Sequence, residues 1–264
     1  MLVPFPVETP YAMRPHMKVW EPGEPILTKD HLFEQYQKEK LLYYRPVYGD
    51  NASTELVESA VTALQKYDSS APTVGPVGGA VWQLTSKLQE DFVIWAPNKN
   101  GDLSAQVLSV CLPSGWDPAT KANKTFLEIH EPVPDFNTVN NAAEHIAKMI
   151  TTKGPFIRHV WTISNSPALS RLPRNTQPWT NEQLDRMWYR VERQVTIPID
   201  GVAALFLIRV YQQPLIQIFE DPDKRQAIID SIASMTENVL QYKNLNWVKN
   251  YLIVNQHNAI SGAE

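Results

Sequence analysis

The sequence predicts an α+β fold, in which a single antiparallel sheet carries helices on one face. Two observations favour this class. Apolar residues at helical spacing predict helices over residues 30–42, 53–64, 141–151 and 223–242. Five further segments have strand character and are mostly joined by short turns, namely residues 92–95, 106–112, 156–163, 188–196 and 202–211.

The last two strands form the clearest element, a β-hairpin. The stretch from Val202 to Tyr211 is an apolar run, which is typical of a strand buried on both faces. The dipeptide Asp200-Gly201 stands directly before it and favours a tight turn. We therefore expect the strand over 188–196 to pair with an interior strand of the sheet.

That partner strand carries charges that are costly to bury. Because side chains alternate along a strand, Arg190, Glu192 and Gln194 share one face, whereas Arg193 lies on the other. A buried charge is tolerated when it is paired or when a ligand needs it. Two interpretations remain open: an Arg–Glu pair on a solvated face, or a polar cluster at the floor of a ligand pocket.

Composition and charge restrict the class of protein. The 264 residues are 43% apolar and 20% charged, as in an ordinary folded protein, and we expect one domain over residues 1–264. A net charge of −4 with no basic tract argues against nucleic-acid binding. No apolar stretch reaches the ~18 residues of a membrane span, and we expect neither a secretory signal nor a membrane location. With Cys111 as the one cysteine, we expect no internal disulfide and a cytoplasmic protein.

The standard catalytic and nucleotide-binding motifs are absent from the sequence. It contains no dinucleotide-binding glycine motif, P-loop, nucleophile elbow, CxxC or HExxH. Among six scattered histidines, His130 is the most informative, because Pro132 and Pro134 follow it and restrict its backbone. A rigidly held imidazole suits an axial metal ligand, although a structural histidine is the simpler alternative.

Several sequence blocks occur in an order that resembles one known family. The chain is similar, over residues 88–245, to the haem-binding subunit of the haem-dependent oxidative N-demethylases, and residues 1–87, an N-terminal arm with helices, resemble it only loosely. The blocks are LQEDFVIW (Leu88–Trp95), VCLPSGWDPATK (Val110–Lys121), IHEPVPDF (Ile129–Phe136), YRVERQ (Tyr189–Gln194), the apolar strand with Arg209, Pro214-Leu215 and Tyr242-Lys243.

The resemblance implies a PAS-like fold, a haem b and oxidation of an amine by dioxygen. It also implies that a separate reductase supplies the electrons, which agrees with the absence of a nucleotide-binding motif. Whether the chain forms a homo-oligomer stays open.

The chemistry of such a site suggests roles for particular residues. His130 suits the iron ligand. Arg190 or Arg193 could stabilise charge next to dioxygen, and Glu192 could hold the substrate ammonium and accept its proton, with Asp91 as the second choice of carboxylate. The haem propionates require cations, for which the candidates are Lys121, Arg158 and Lys243.

The chain departs from the family pattern at two positions. Members tend to have Arg-x-Asn-Trp where this chain has Arg158-His159-Val160-Trp161, and Thr where it has Val195. If either position contacts the substrate, the amine need not be a small methylamine. Two other functions stay open: N-oxygenation of a primary amine or amino acid, and a non-catalytic haem or ligand sensor.

Overall fold

The protein is described from a computed structural model, which covers residues 3–14, 16–75, 79–134, 143–175, 177–180 and 183–261. The strands are β1 (Lys18–Val19), β2 (Val47–Tyr48), β3 (Asp91–Pro97), β4 (Leu103–Ser109), β5 (Phe156–Ser164), β6 (Trp188–Ile199) and β7 (Ala203–Pro214). The helices are α1 (Phe33–Tyr43), α2 (Thr54–Gln65), α3 (Ala80–Lys87), α4 (Phe126–His130), α5 (Ala143–Thr152), α6 (Leu215–Phe219), α7 (Pro222–Ser234), α8 (Glu237–Lys243) and α9 (Asn246–Ser261).

The seven strands form one antiparallel sheet in the order β1-β5-β6-β7-β3-β4-β2. This confirms the predicted α+β class and the hairpin. Strands β6 and β7 pair along twelve residues each, and the turn residues Asp200 and Gly201 have φ of 48° and 78°. Positive φ at both central residues is the geometry that an Asp-Gly turn favours in a hairpin. β7 is central, which explains its apolar sequence.

Helices pack against both faces of this sheet. On the face covered by α4 and α5, which we call the α5 face, Trp95 and Ile208 pack with Ile146 and Ile150 of α5. The opposite face, called the α2 face, presents alternate residues of the same strands to α2, α3 and the C-terminal helices. The sequence predicted helices on one face only.

The C-terminal helical region is divided more finely than the sequence indicated. The predicted helix over 223–242 is two helices, because α7 ends at Ser234 and Thr236 caps α8 through a bond from the Val239 amide (3.4 Å). Asn244 then closes α8 in the left-handed conformation, with φ of 55°. The sequence analysis did not predict α3 or α9.

Candidate functional site

A row of polar side chains crosses the centre of the α5 face. In the register of the sheet, Arg158 of β5 lies opposite Gln194 of β6, and Val160 lies opposite Glu192. Arg190 pairs with Gln212 of β7, two residues further along the same face. The alternation predicted for β6 is confirmed, since Arg190, Glu192 and Gln194 share this face while Arg193 points away from it.

Arg190 is fully buried and is held by hydrogen bonds. Its Nε donates to Ser114 Oγ (2.7 Å), one terminal nitrogen donates to Leu112 O (2.9 Å), and the other lies 3.4 Å from Gln212 Oε1. Each nitrogen of the guanidinium therefore has a protein partner. This arrangement fixes Arg190 as a support within the site and leaves Ser114 oriented by a charged donor.

Glu192 is half-buried and receives two hydrogen bonds. The Ser114 hydroxyl donates to Oε1, and Gln194 Nε2 donates to Oε2 (2.8 Å). Within the described residues, no cationic nitrogen lies within 4.0 Å of this carboxylate. Glu192 is thus held in place by neutral donors, and Arg190 reaches it only through Ser114. A carboxylate held in this way keeps lone pairs for a ligand.

Arg158 is the cation at the β5 end of the polar row. Its Nε is buried and, in the described part of the chain, has no hydrogen-bond partner. Burial lowers the pKa of this guanidinium, and the nearby Glu192 carboxylate partly offsets that effect. Buried polar atoms without partners are rare in folded proteins and indicate a missing ligand or water. An N–H donor requires an acceptor, and an anion such as a carboxylate is the strongest acceptor for a guanidinium.

His130 ends helix α4 with its ring fixed at one nitrogen. Nδ1 lies 2.7 Å from the Phe126 carbonyl oxygen, and the ring stacks on Phe126 with centroids 4.1 Å apart. Because a carbonyl can only accept, Nδ1 carries the proton and Nε2 keeps its lone pair. Burial lowers the pKa of His130, and the positive charges of Arg158 and Lys121 lower it further. A neutral imidazole bound to a carbonyl through Nδ1 is the usual form of a metal-binding histidine.

Two lysines complete the cationic side of the site. Lys121 lies close enough to His130 for its positive charge to lower the pKa of the imidazole. Lys243, at the end of α8, lies within electrostatic range of Glu192 and Arg158. Lys243 Nζ donates to the Trp161 carbonyl (2.7 Å) at the edge of β5. Burial lowers the pKa of Lys243 to about 8, with Arg158 contributing in the same direction and Glu192 opposing it.

The lowered pKa of Lys243 predicts a specific dependence of stability on pH. Between pH 8 and about 10.5 the unfolded chain holds this proton and the folded chain does not, so the free energy of unfolding should rise with pH. In Lys243→Met that rise should be missing, whereas below pH 7 the two curves should run parallel. Urea unfolding at a series of pH values measures this difference. Parallel curves up to pH 10.5 would show that Lys243 titrates as an ordinary lysine.

Two of the residues proposed from the sequence are bound to other parts of the protein. Arg193 is on the α2 face, where it donates to the carbonyl oxygens of Ile26 (2.9 Å) and Pro25 and so attaches the N-terminal segment to the sheet. Asp91 is fully buried, pairs with Lys40 (3.5 Å) and accepts from the Leu112 amide (2.6 Å). The geometry gives both residues partners within the protein, so we do not carry them forward as catalytic groups.

The buried Lys40–Asp91 pair should be critical for stability. Lys40→Met leaves the Asp91 carboxylate buried without its cation, which should lower the free energy of unfolding by about 3–5 kcal/mol. The exposed neighbour Lys38 offers a matched control, and Lys38→Met should change it by less than about 0.5 kcal/mol. Urea denaturation of both variants checks this, and equal stabilities would assign the pair no structural importance.

The donor groups on the α5 face and at the neighbouring edge of β5 fit a haem. Its iron needs a ligand such as the free Nε2 of His130, and its two carboxylates need cations such as Arg158, Lys243 and Lys121. The unpartnered Nε of Arg158 is the observation that most directly calls for such an anionic group. Over the described ranges, no group of three or more His, Cys, Asp or Glu side chains is arranged to hold a bare metal ion.

Comparison of the sequence with models of known protein families shows which family the chain belongs to. A family model described as haem-dependent oxidative N-demethylase, alpha subunit-like, matches residues 28–253. The chain belongs to this family. The match begins well before the sequence blocks at 88–245, so in this family α1, α2 and α3 are part of the shared region. Membership in the haem-dependent oxidative N-demethylase-like family supports haem dependence and oxidative chemistry. No curated protein sequence matches the chain.

Some residues of the site carried no signal in the sequence. Ser114 belongs to a loop after β4, and its contact with Arg190 and Glu192 joins positions 76 and 78 residues apart. Tyr11 and Tyr242 lie within electrostatic range of Arg158, and burial raises the pKa of both.

Among the described helices, none is both long enough and apolar enough to cross a membrane.

Proposed function

We propose that this chain binds haem b on the α5 face and oxidises an amine with dioxygen, removing an N-methyl group as formaldehyde. The overall change consumes the methylamine, one dioxygen and two electrons with two protons, and yields the demethylated amine, formaldehyde and water. The observation that carries this proposal is the Glu192 carboxylate, which Ser114 and Gln194 hold and to which no cation is bonded within the described part of the chain.

His130 would ligate the iron through Nε2, and Lys121, Arg158 and Lys243 would pair with the two propionates. When bound, the haem supplies the activation of dioxygen that amine oxidation requires. His130 is suited to this role because its Nδ1 is bonded to the Phe126 carbonyl, which fixes the direction of Nε2.

Glu192 would bind and orient the substrate. In water the amine is an ammonium ion, and a half-buried carboxylate attracts it more strongly than one in bulk solvent. Oε1 accepts from Ser114, which Arg190 orients in turn, so this oxygen is fixed in position. Oε2 accepts from the neutral Gln194 amide, and the ammonium proton would be taken up there.

Arg190 would act through Ser114 and not on dioxygen. Its nitrogens are bonded to Ser114, Leu112 and Gln212, so it would hold the Glu192 carboxylate in one rotamer. A preorganised carboxylate keeps the nitrogen of the substrate in one position while the methyl group reacts.

The proposed reaction makes a prediction about products and partners. Purified protein with NADPH, N-methylated amine and air should give almost no turnover, because the sequence lacks a nucleotide-binding motif. Adding a reductase should release one formaldehyde for each amine consumed, as measured by a formaldehyde assay alongside amine quantification. Amine loss without formaldehyde would favour N-oxygenation, and rapid turnover by the isolated chain would contradict the requirement for a reductase.

A further inference from the structure

A cleft of about 210 Å³ runs between the N-terminal arm and the edge of β5. β1 covers only the first two residues of β5, at Phe156 and Ile157, so the remainder of this edge faces the arm. Five consecutive residues of β5, from Ile157 to Trp161, line the cleft. It therefore adjoins the polar row of the α5 face.

Val160 connects the cleft with the Glu192 carboxylate. It is the direct cross-strand neighbour of Glu192, which places the two Cβ atoms roughly 4.5–5.5 Å apart on the same face. Its side chain is half-buried and contributes to the wall of the cleft. An ammonium ion bound at Glu192 would consequently have an aliphatic surface beside its nitrogen.

The cleft continues away from Glu192 along further apolar groups. Pro6 and Met13 of the arm line it together with Val160, and Trp161 borders it from the α2 face. The lining also carries charged residues: Lys18 lies 3.4 Å from Glu24, Glu8 lies 3.8 Å from His16, and Arg14 and Arg158 border the cleft as well. Apolar surface next to an ammonium site suits an amine with a hydrocarbon substituent.

We infer that the substrate is a secondary or tertiary N-methylamine whose other substituent is an apolar chain of several carbons, and that Val160 selects for it. This inference rests on the proposed function, because Glu192 holds the nitrogen from which the chain extends into the cleft. Each buried methylene contributes favourably to binding, so a butyl chain should be preferred to a second methyl group by tenfold or more.

Titration calorimetry on the haem-loaded protein tests this with two probes, dimethylamine and N-methylbutylamine. Wild type should bind N-methylbutylamine about tenfold more tightly or better. Val160→Asn should reduce that preference to about twofold or less, because an amide in the wall must lose its hydration when the butyl chain covers it. Val202→Asn is the matched control, since Val202 is 61% exposed in the hairpin turn and should retain the full preference.

The outcomes separate this inference from the proposed function. If dimethylamine and N-methylbutylamine bind equally to wild type, and both bindings are lost in Glu192→Gln, the substrate class is wrong while the role of Glu192 stands. If neither amine binds wild type, the proposed function fails. A preference that persists in a folded Val160→Asn variant, with a melting temperature equal to that of Val202→Asn, would remove Val160 as the determinant.

Discussion

Replacement of His130 by alanine should abolish or strongly shift the Soret band of the haem-loaded protein. His130 is the imidazole on the α5 face whose Nδ1 is fixed by a carbonyl and whose Nε2, in the described part of the chain, makes no hydrogen bond. If His130 is the iron ligand, as proposed, the variant lacks that bond, and the haem would be held only through its propionates. We expect most of the haem to be lost during gel filtration of the variant.

His145→Ala provides the control for this experiment. His145 lies on α5, the helix that covers the same face of the sheet, but its side chain is exposed. This variant should keep both the position and the intensity of the Soret band. An unchanged spectrum in His130→Ala, at equal haem content, would remove His130 as the ligand.

Glu192→Gln should lower kcat/KM for the amine about 100-fold or more while the protein stays folded. Glutamine can keep the bond from Ser114 through its amide oxygen, and its amide nitrogen can donate to Gln194 once the Gln194 amide is rotated by half a turn. It can neither balance the charge of an ammonium ion nor take up its proton, and such a loss is typical of a missing acid–base group. Steady-state kinetics with the reductase present measures the effect.

A purely structural role for Glu192 makes the opposite prediction. If it served only to balance buried arginines, Glu192→Gln should lower the free energy of unfolding by about 3–5 kcal/mol and leave amine oxidation normal. The geometry argues against this, since no arginine nitrogen in the described residues lies within 4.0 Å of the carboxylate. Glu144→Gln, an exposed position on α5, serves as the control in thermal melting and in kinetics.

The local geometry of the central hairpin could be predicted from the sequence. A turn dipeptide and an apolar run are local signals, and alternation then assigns each residue of β6 to a face. For that reason the grouping of Arg190, Glu192 and Gln194 is correct, and so is the separation of Arg193 from them. His130 was singled out by the prolines that follow it, and Lys121, Arg158 and Lys243 by the chemistry of the family that the chain resembles. In the structure Arg158 belongs to the polar row, Lys243 and His130 lie within electrostatic range of it, and Lys121 lies within range of His130.

The partners of buried charges could not be predicted in this way. Asp91 pairs with Lys40 across 51 positions of sequence, and Arg193 binds the carbonyl of Ile26 across 167. Such contacts depend on how α1 and the N-terminal segment pack on the sheet, which no local pattern encodes. Ser114 was missed for the same reason. The departure at Val160, by contrast, was visible in the sequence, and the structure places it directly opposite Glu192.

The central claim is that haem and amine occupy one site on the α5 face, with the amine nitrogen at Glu192. The most direct measurement is the absorption spectrum of the haem-loaded protein during titration with N-methylbutylamine. We expect a saturable shift of the Soret band in wild type, with a midpoint equal to the Kd from calorimetry, and no shift in Glu192→Gln at unchanged haem content. Calorimetric binding of the amine with no change in the haem spectrum would place it elsewhere and contradict the claim.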